Sequence, residues 1–305
     1  MKKLIIIIAV ILFTVSAKAQ QDPQYTQYVY NMNIINPAYA GSYDALSLNF
    51  LARSQWVGIE GAPRTLTFGA NTPIGNNVGV GLSVILDEIG PVEEQNVYGD
   101  FSYTIRVNEK AKLALGIKAG FTFFNICLPC INTTDPNDLA FINQNANKIL
   151  PNIGAGAFYY TEKFYAGLSI PNLLETFQFE KNGGQITKAT ETKHYFFTSG
   201  YVFDLSDDVK LKPSTMVKAA DGAPLSIDFS GNILLYDKFE FGLSYRLSES
   251  VSALVNLRAS KSLRVGYSYD HTLTALGDYN SGSHEVFLLF NFDFERNKIA
   301  SPRFF

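Results

Sequence analysis

The chain has 305 residues and a formal net charge of −3, with 17% charged, 14% aromatic and 47% hydrophobic residues. A mildly acidic chain without a Lys/Arg cluster has no footprint for nucleic-acid phosphates. Charge is also scarce, since soluble domains carry about 25% charged residues, and the length allows one large β domain or two ordinary ones.

The first 19 residues read as a signal peptide. Lys2 and Lys3 form a basic start, Leu4 to Val15 an apolar core, and Ala17-Lys18-Ala19 a small-x-small cleavage site. The apolar run falls short of the roughly 20 residues that a spanning helix needs. The chain is therefore expected to be exported, and no other apolar run is long enough for a membrane helix. Lipid offers no partner to a free sheet edge, so a membrane protein without spanning helices must close its strands into a barrel.

Residues 20–43 are rich in aromatic and Asn residues. Asp22-Pro23 is a helix-start pair. Tyr25, Tyr28, Val29 and Met32 fall at helical spacing, and Asn36-Pro37 ends the pattern. The expectation is a short amphipathic helix that docks on the short-turn mouth of a barrel or in its lower lumen, as a plug.

Residues 44–294 carry fourteen strand candidates. They lie at 44–53, 64–73, 77–87, 94–107, 111–126, 151–161, 163–170, 194–205, 209–218, 225–236, 238–247, 250–259, 261–271 and 284–294. Alternation is clearest from Phe239 to Phe294. Phe239, Phe241, Leu243 and Tyr245 share one face with Val251, Val255, Val265 and Tyr267, while Glu240, Ser244, Asn256 and Ser268 take the other. A period of two places these sets on opposite faces. Leu254, Phe287 and Leu289 break the rule. Aromatics on one face and charges on the other fit a lipid-facing outside and a polar inside. Connections alternate too. Tight turns around IGNN, NEK, TEK, SDD, YDK and SKS face longer ones at 54–63, 88–93, 127–150, 171–193 and 272–283, with shorter ones near 219–224 and 248–249. In outer-membrane barrels the short turns face the periplasm. The fold class is all-β, a single transmembrane antiparallel β-barrel of about 14 strands, with a tail at 295–305.

Chemistry is sparse. Cys127 and Cys130 form C-L-P-C, a spacing open to a disulfide, a free pair, a redox motif or half a metal site. The βαβ context of the redox motif is absent, and no His lies near to complete a metal site. His194, His271 and His284 are the only histidines, and no nucleophile elbow accompanies them. Gly75-Asn76-Asn77-Val78-Gly79 lacks the Lys and helix of a phosphate loop. No catalytic residue, cofactor site or metal site is expected. The inward-parity charges Asp228, Glu240, Arg246, Arg258, Arg264, Asp270, Glu285 and Asp293 mix both signs. They are expected to neutralise one another in a packed interior, rather than line a selective channel.

The opening QDPQYTQYVYNMNIINPAYAGS resembles the start of the PorP/SprF family. RSQWVGIEGAPRTLTFGANTPI, PNIGAGAFYY, FYAGLSIPNLL, LKPSTMVK, GAPLSIDFSGNILLYDKFEFGLSYR, VGYSYDHTLTALGDYNSGSHEVFL and SPRFF follow in the family's order. The resemblance implies an outer-membrane protein of type IX secretion and gliding motility without catalysis. Its partners would be outer-membrane lipid, the secretion machinery, and a secreted adhesin or other cargo anchored at the cell surface. The alternative function is a passive or selective porin for small solutes.

Overall fold

The computed structural model describes residues 23–43, 45–127, 130, 145–174, 193–221 and 223–292. Residues 1–22, Asp293 and the 295–305 tail lie outside them. Strands dominate: β1 (Leu46–Ser54), β2 (Arg64–Ile74), β3 (Val78–Ile89), β4 (Val92–Arg106), β5 (Lys112–Cys127), β6 (Asn145–Tyr160), β7 (Phe164–Ile170) and β8 (His194–Tyr201) come first. After them come β9 (Phe203–Asp204), β10 (Val209–Ala220), β11 (Ser226–Leu235), β12 (Phe239–Arg246), β13 (Ser250–Arg258), β14 (Leu263–Thr272) and β15 (Ser283–Phe292).

Each strand pairs antiparallel with its neighbour in sequence, β10 takes both β8 and β11, and β1 pairs with β15. The sheet therefore closes on itself as a 14-strand barrel without a free edge, which is the form that satisfies every ladder in lipid. The fifteenth piece, β9, prolongs β8. Ser214↔Gly200 and Lys210↔Asp204 keep one register across the break at Val202.

Burial follows the period of two. Phe239, Phe241, Leu243, Tyr245, Val251, Val255 and Tyr267 are exposed on the outer face, and Glu240, Ser244, Arg246, Ser252, Asn256 and Ser268 are buried inside. Leu254, Phe287 and Leu289 are buried too. They do not reverse the strand, and Phe287 and Leu289 join a buried apolar cluster within.

Three sequence expectations change. β6 starts at Asn145 rather than 151, because its polar first turn pairs with β5 as far as Cys127↔Asn145. The connection expected over 88–93 is a two-residue turn at Gly90-Pro91, closed by Ile89↔Val92, and Gly90 supplies the positive φ of 56°. The single helix expected from Asp22-Pro23 is three short pieces instead: a 3₁₀ turn at Tyr28–Tyr30, α1 (Met32–Ile35) and a 3₁₀ turn at Pro37–Tyr39. Asn lowers helix propensity by offering the backbone local alternatives. Asn36, extended before Pro37, accepts from the Ala38 N–H and starts a new turn.

The long connections all fall on one rim, which also carries two tight turns. The turns at 75–77, 107–111, 161–163, 205–208, 236–238 and 259–262 form the short-turn rim. The connections at 55–63, 90–91, 221–225, 247–249 and 273–282 share the other, here the long-loop rim, with the described parts of 128–144 and 171–193.

Candidate functional site

The inward parity of the strands collects charge, and the structure arranges it in three groups. Near the short-turn ends of β10, β12 and β14, Glu240 receives Lys212 at 2.9 Å and Arg264 at 3.0 Å. Asn232 donates to its other oxygen at 2.6 Å and Asn256 at 3.3 Å. Near the long-loop ends of β1, β14 and β15, Arg53 bridges Asp270 at 2.7 Å and Glu285 at 3.1 Å. Beside it Arg246 meets Asp228 at 2.7 Å and Glu249 at 3.8 Å. A third group joins Lys118 to Asp100 at 2.9 Å, with the Ser83 hydroxyl donating to Asp100.

The sequence reading named Glu240, Arg264, Asp270, Glu285, Arg246 and Asp228, and all six are buried here in ion pairs. Arg258 is half-buried, opposite Arg264 across the β13–β14 ladder. Asp293 lies outside the described residues. Arg53, Asp100, Lys118 and Lys212 were missed. Each sits on the buried phase of its own strand, so extending the alternation to the strands before Phe239 would have found them.

Residues 23–43 run against these groups. The Thr26 hydroxyl donates to Asp270 at 2.7 Å, while the Thr26 and Gln27 N–H groups donate to Glu285 at 3.0 and 2.7 Å. The Tyr30 hydroxyl donates to Glu240 at 2.6 Å. The Tyr30 ring stacks on Phe287 at 4.6 Å, with Lys212 and Arg264 each 5.4 Å from its centroid. Asn31 Oδ1 accepts from Asn49 at 2.5 Å, and the Ser169 hydroxyl donates to the Ile35 carbonyl at 2.6 Å. At the far end the Ser102 hydroxyl donates to the Ala40 carbonyl, beside Gly79.

The direction of the segment follows from these partners. Thr26 meets the long-loop ends of β1, β14 and β15, whereas Ala40 and Gly41 meet Pro73 and Gly79 at the short-turn rim. The contacts thus extend along the inner face from one rim to the other, not only at the short-turn mouth. Tyr25, Tyr28 and Met32 are buried and Val29 is half-buried. They share no single helical face, because the chain between them changes helix type.

Cys127 and Cys130 are joined as a disulfide at the end of β5. His194 is buried, and His284 Nδ1 lies 2.7 Å from the Tyr267 hydroxyl. On the long-loop rim, burial pushes the Glu249 carboxyl above the usual carboxylate range, and Arg246 opposes that rise. Among the described residues the arrangement pairs and neutralises charge.

Comparison with solved structures supports the same architecture. The chain is similar to the CymD monoaromatic hydrocarbon channel, at a TM-score of 0.51 and 11% identity, with 89% of this chain and 94% of that one covered. It also matches a FadL homologue of Pseudomonas aeruginosa at a TM-score of 0.49 and 11% identity, covering 91% and 96%. At such identities the first likeness shows the fold alone, and the second carries no argument. No curated protein matches the chain. The closed barrel with an apolar outer face is an outer-membrane protein. The model of the type IX secretion system membrane protein PorP/SprF matches residues 17–290, and the chain belongs to that family.

Proposed function

We propose that this barrel is an accessory of type IX secretion that holds a secreted partner, an adhesin or other cargo, at the cell surface. Residues 23–43 would serve as a plug, the long-loop rim would face outward, and residues 1–19 would be removed on export. The observation that carries the reading is the bond set of residues 23–43, from Thr26 on Asp270 and Glu285 to Tyr30 on Glu240. A solute channel needs a wet path between its rims. The buried ion pairs and the stacked aromatic ring on the inner face support the plugged reading. The role is binding rather than catalysis, and the secretion context comes from the family.

Two measurements on one preparation test it. Native-membrane purification should bring down a secreted partner, and vesicles bearing the purified barrel should resist small-solute swelling. Deleting residues 23–40 should leave a barrel that inserts but leaks, or that loses its partner. Rapid swelling by the intact chain, with no partner retained, would favour the porin.

A further inference from the structure

A cavity of about 460 Å³ opens at the long-loop rim between residues 23–24, the 55–63 connection and the ends of β12–β15. Its volume lies within the roughly 300–1,000 Å³ that ligand pockets occupy. Three carboxylates line it, those of Asp87, Glu249 and Asp270, against the guanidinium groups of Arg53 and Arg246. Both guanidinium groups are already engaged. Arg53 bridges Asp270 and Glu285, and Arg246 holds Asp228 at 2.7 Å with Glu249 at 3.8 Å. Lys218, also buried, acts on Glu249 as a third cation, so five acidic side chains stand around three basic ones.

The hydrogen-bond balance points the same way. Asp270 Oδ1 and Ser250 Oγ, both on residues that line the cavity, are buried with no hydrogen-bond partner, and Asp228 Oδ2 behind them is likewise unpartnered. A buried polar oxygen left unpaired is costly, and here three such oxygens stand against one unpartnered donor, Arg53 Nε, so on balance this wall is short of donors. The cavity also holds Trp56, whose connection is fixed. The Trp56 N–H donates to Ser283 Oγ at 3.1 Å, the Val57 N–H to the Gly282 carbonyl at 2.9 Å, and the Ser281 N–H to the Val57 carbonyl at 2.7 Å. Tryptophan is the side chain whose face attracts a cation best.

We propose that this mouth cavity receives a basic side chain, arginine or lysine, carried on a peptide segment of a partner protein. Glu249 and Asp270 supply the anionic contacts, Ser250 accepts a further hydrogen bond, and Trp56 provides the face on which the cation lies. An anionic or purely apolar ligand would leave the acceptors unpaired. The identity of the partner as a secreted protein rests on the function proposed above, but the chemistry of the site does not.

Trp56 is the only tryptophan in the chain, so its emission reports on this cavity alone. The full-length protein in detergent micelles would be titrated with acetyl-Gly-Arg-Gly-amide, and with the same peptide bearing Gln or Glu at its centre. Calorimetry would run in parallel. The Arg peptide should bind saturably, the Gln peptide about tenfold more weakly and the Glu peptide not at all. Glu249→Gln, and independently the isosteric Asp87→Asn, should each weaken the Arg peptide about fivefold to tenfold, and added salt should weaken it further. Equal binding of the Gln and Arg peptides, indifference to both substitutions, or no saturable signal by either method would overturn the site. If the Arg peptide binds but membranes yield no secreted partner, the site stands and the anchoring reading falls. A retained partner that the Arg peptide fails to displace overturns the site and leaves anchoring intact.

Discussion

Replacing Glu240 with Gln separates a packed interior from a wet one. Glu240 is 1% exposed and accepts from Tyr30, Lys212, Arg264, Asn232 and Asn256. Gln keeps the shape but removes the charge, so Lys212 and Arg264 are left buried without their anion. Breaking a buried pair in this way costs about 3–5 kcal/mol, and two stranded cations place this site toward the upper end. In a water-filled bore the same pair would be hydrated and the loss would be about 0–1 kcal/mol. Tyr30→Phe removes one donor and leaves the others on Glu240, so its cost should stay within the roughly 1.5–3 kcal/mol of a hydrogen bond to a charged group. Adding Lys212→Gln to Glu240→Gln removes one stranded cation and should recover part of the loss, a coupling that a double-mutant cycle resolves. The assay is urea unfolding of the protein in lipid vesicles, read from the electrophoretic mobilities of the folded and unfolded forms. A Glu240→Gln barrel within 1 kcal/mol of the parent would refute the packed interior.

On the outer face, Val255→Arg should cost about 2–4 kcal/mol near the bilayer midplane while Val255→Phe costs little; equal losses in vesicle unfolding would break the assignment of that face to lipid. A Cβ at Gly116 would lie 2.5 Å from Ala38 Cα and Pro37 C, whereas one at Gly231 meets nothing within 4 Å. Gly116→Leu should therefore overpack by about 1–3 kcal/mol and open residues 23–43 to protease without unfolding the sheet, and Gly231→Ala should do neither. For orientation, cysteines at Tyr279 on the long-loop rim and at Asp208 on the short-turn rim should label differently in intact cells. The first should react from outside and the second only after the outer membrane is opened, and the reverse pattern would invert the barrel.

The architecture was legible because its physics is local. A period of two, repeated on neighbouring strands, marks the outer face residue by residue, and closure then follows from the absence of any tolerated edge in lipid. Strand ends were less legible where pairing overrides pattern. The polar start of β6 is a strand because β5 pairs with it, and Gly90-Pro91 turns within what reads as a loop. The form of residues 23–43 was the least legible part. Spacing of Tyr25, Tyr28, Val29 and Met32 suggested one helix, but the backbone breaks into short local turns, and the bonds that dock them come from distant strands. Asn31 is tied to Asn49, Thr26 to Asp270 and Ile35 to Ser169. No window of local sequence contains those partners.

The exceptions to the alternation held more information than the alternation itself. An inward Phe or Leu costs free energy against water, so a solvated bore gives Phe287 and Leu289 nothing to gain. They are affordable only if something apolar lies opposite. The stretch outside the strands richest in aromatic side chains was residues 20–43. The structure brings the two together: Phe287 stacks on Tyr30, and both Phe287 and Leu289 join the buried cluster that contains Tyr25, Tyr28 and Met32. Around that apolar contact the polar groups sort by charge. The Tyr30 hydroxyl reaches past the ring stack to Glu240, where Lys212 and Arg264 converge, so one side chain serves both the apolar and the ionic neighbour. That double role explains why the inward wall needs both breaks in parity and buried ion pairs within a few residues of each other.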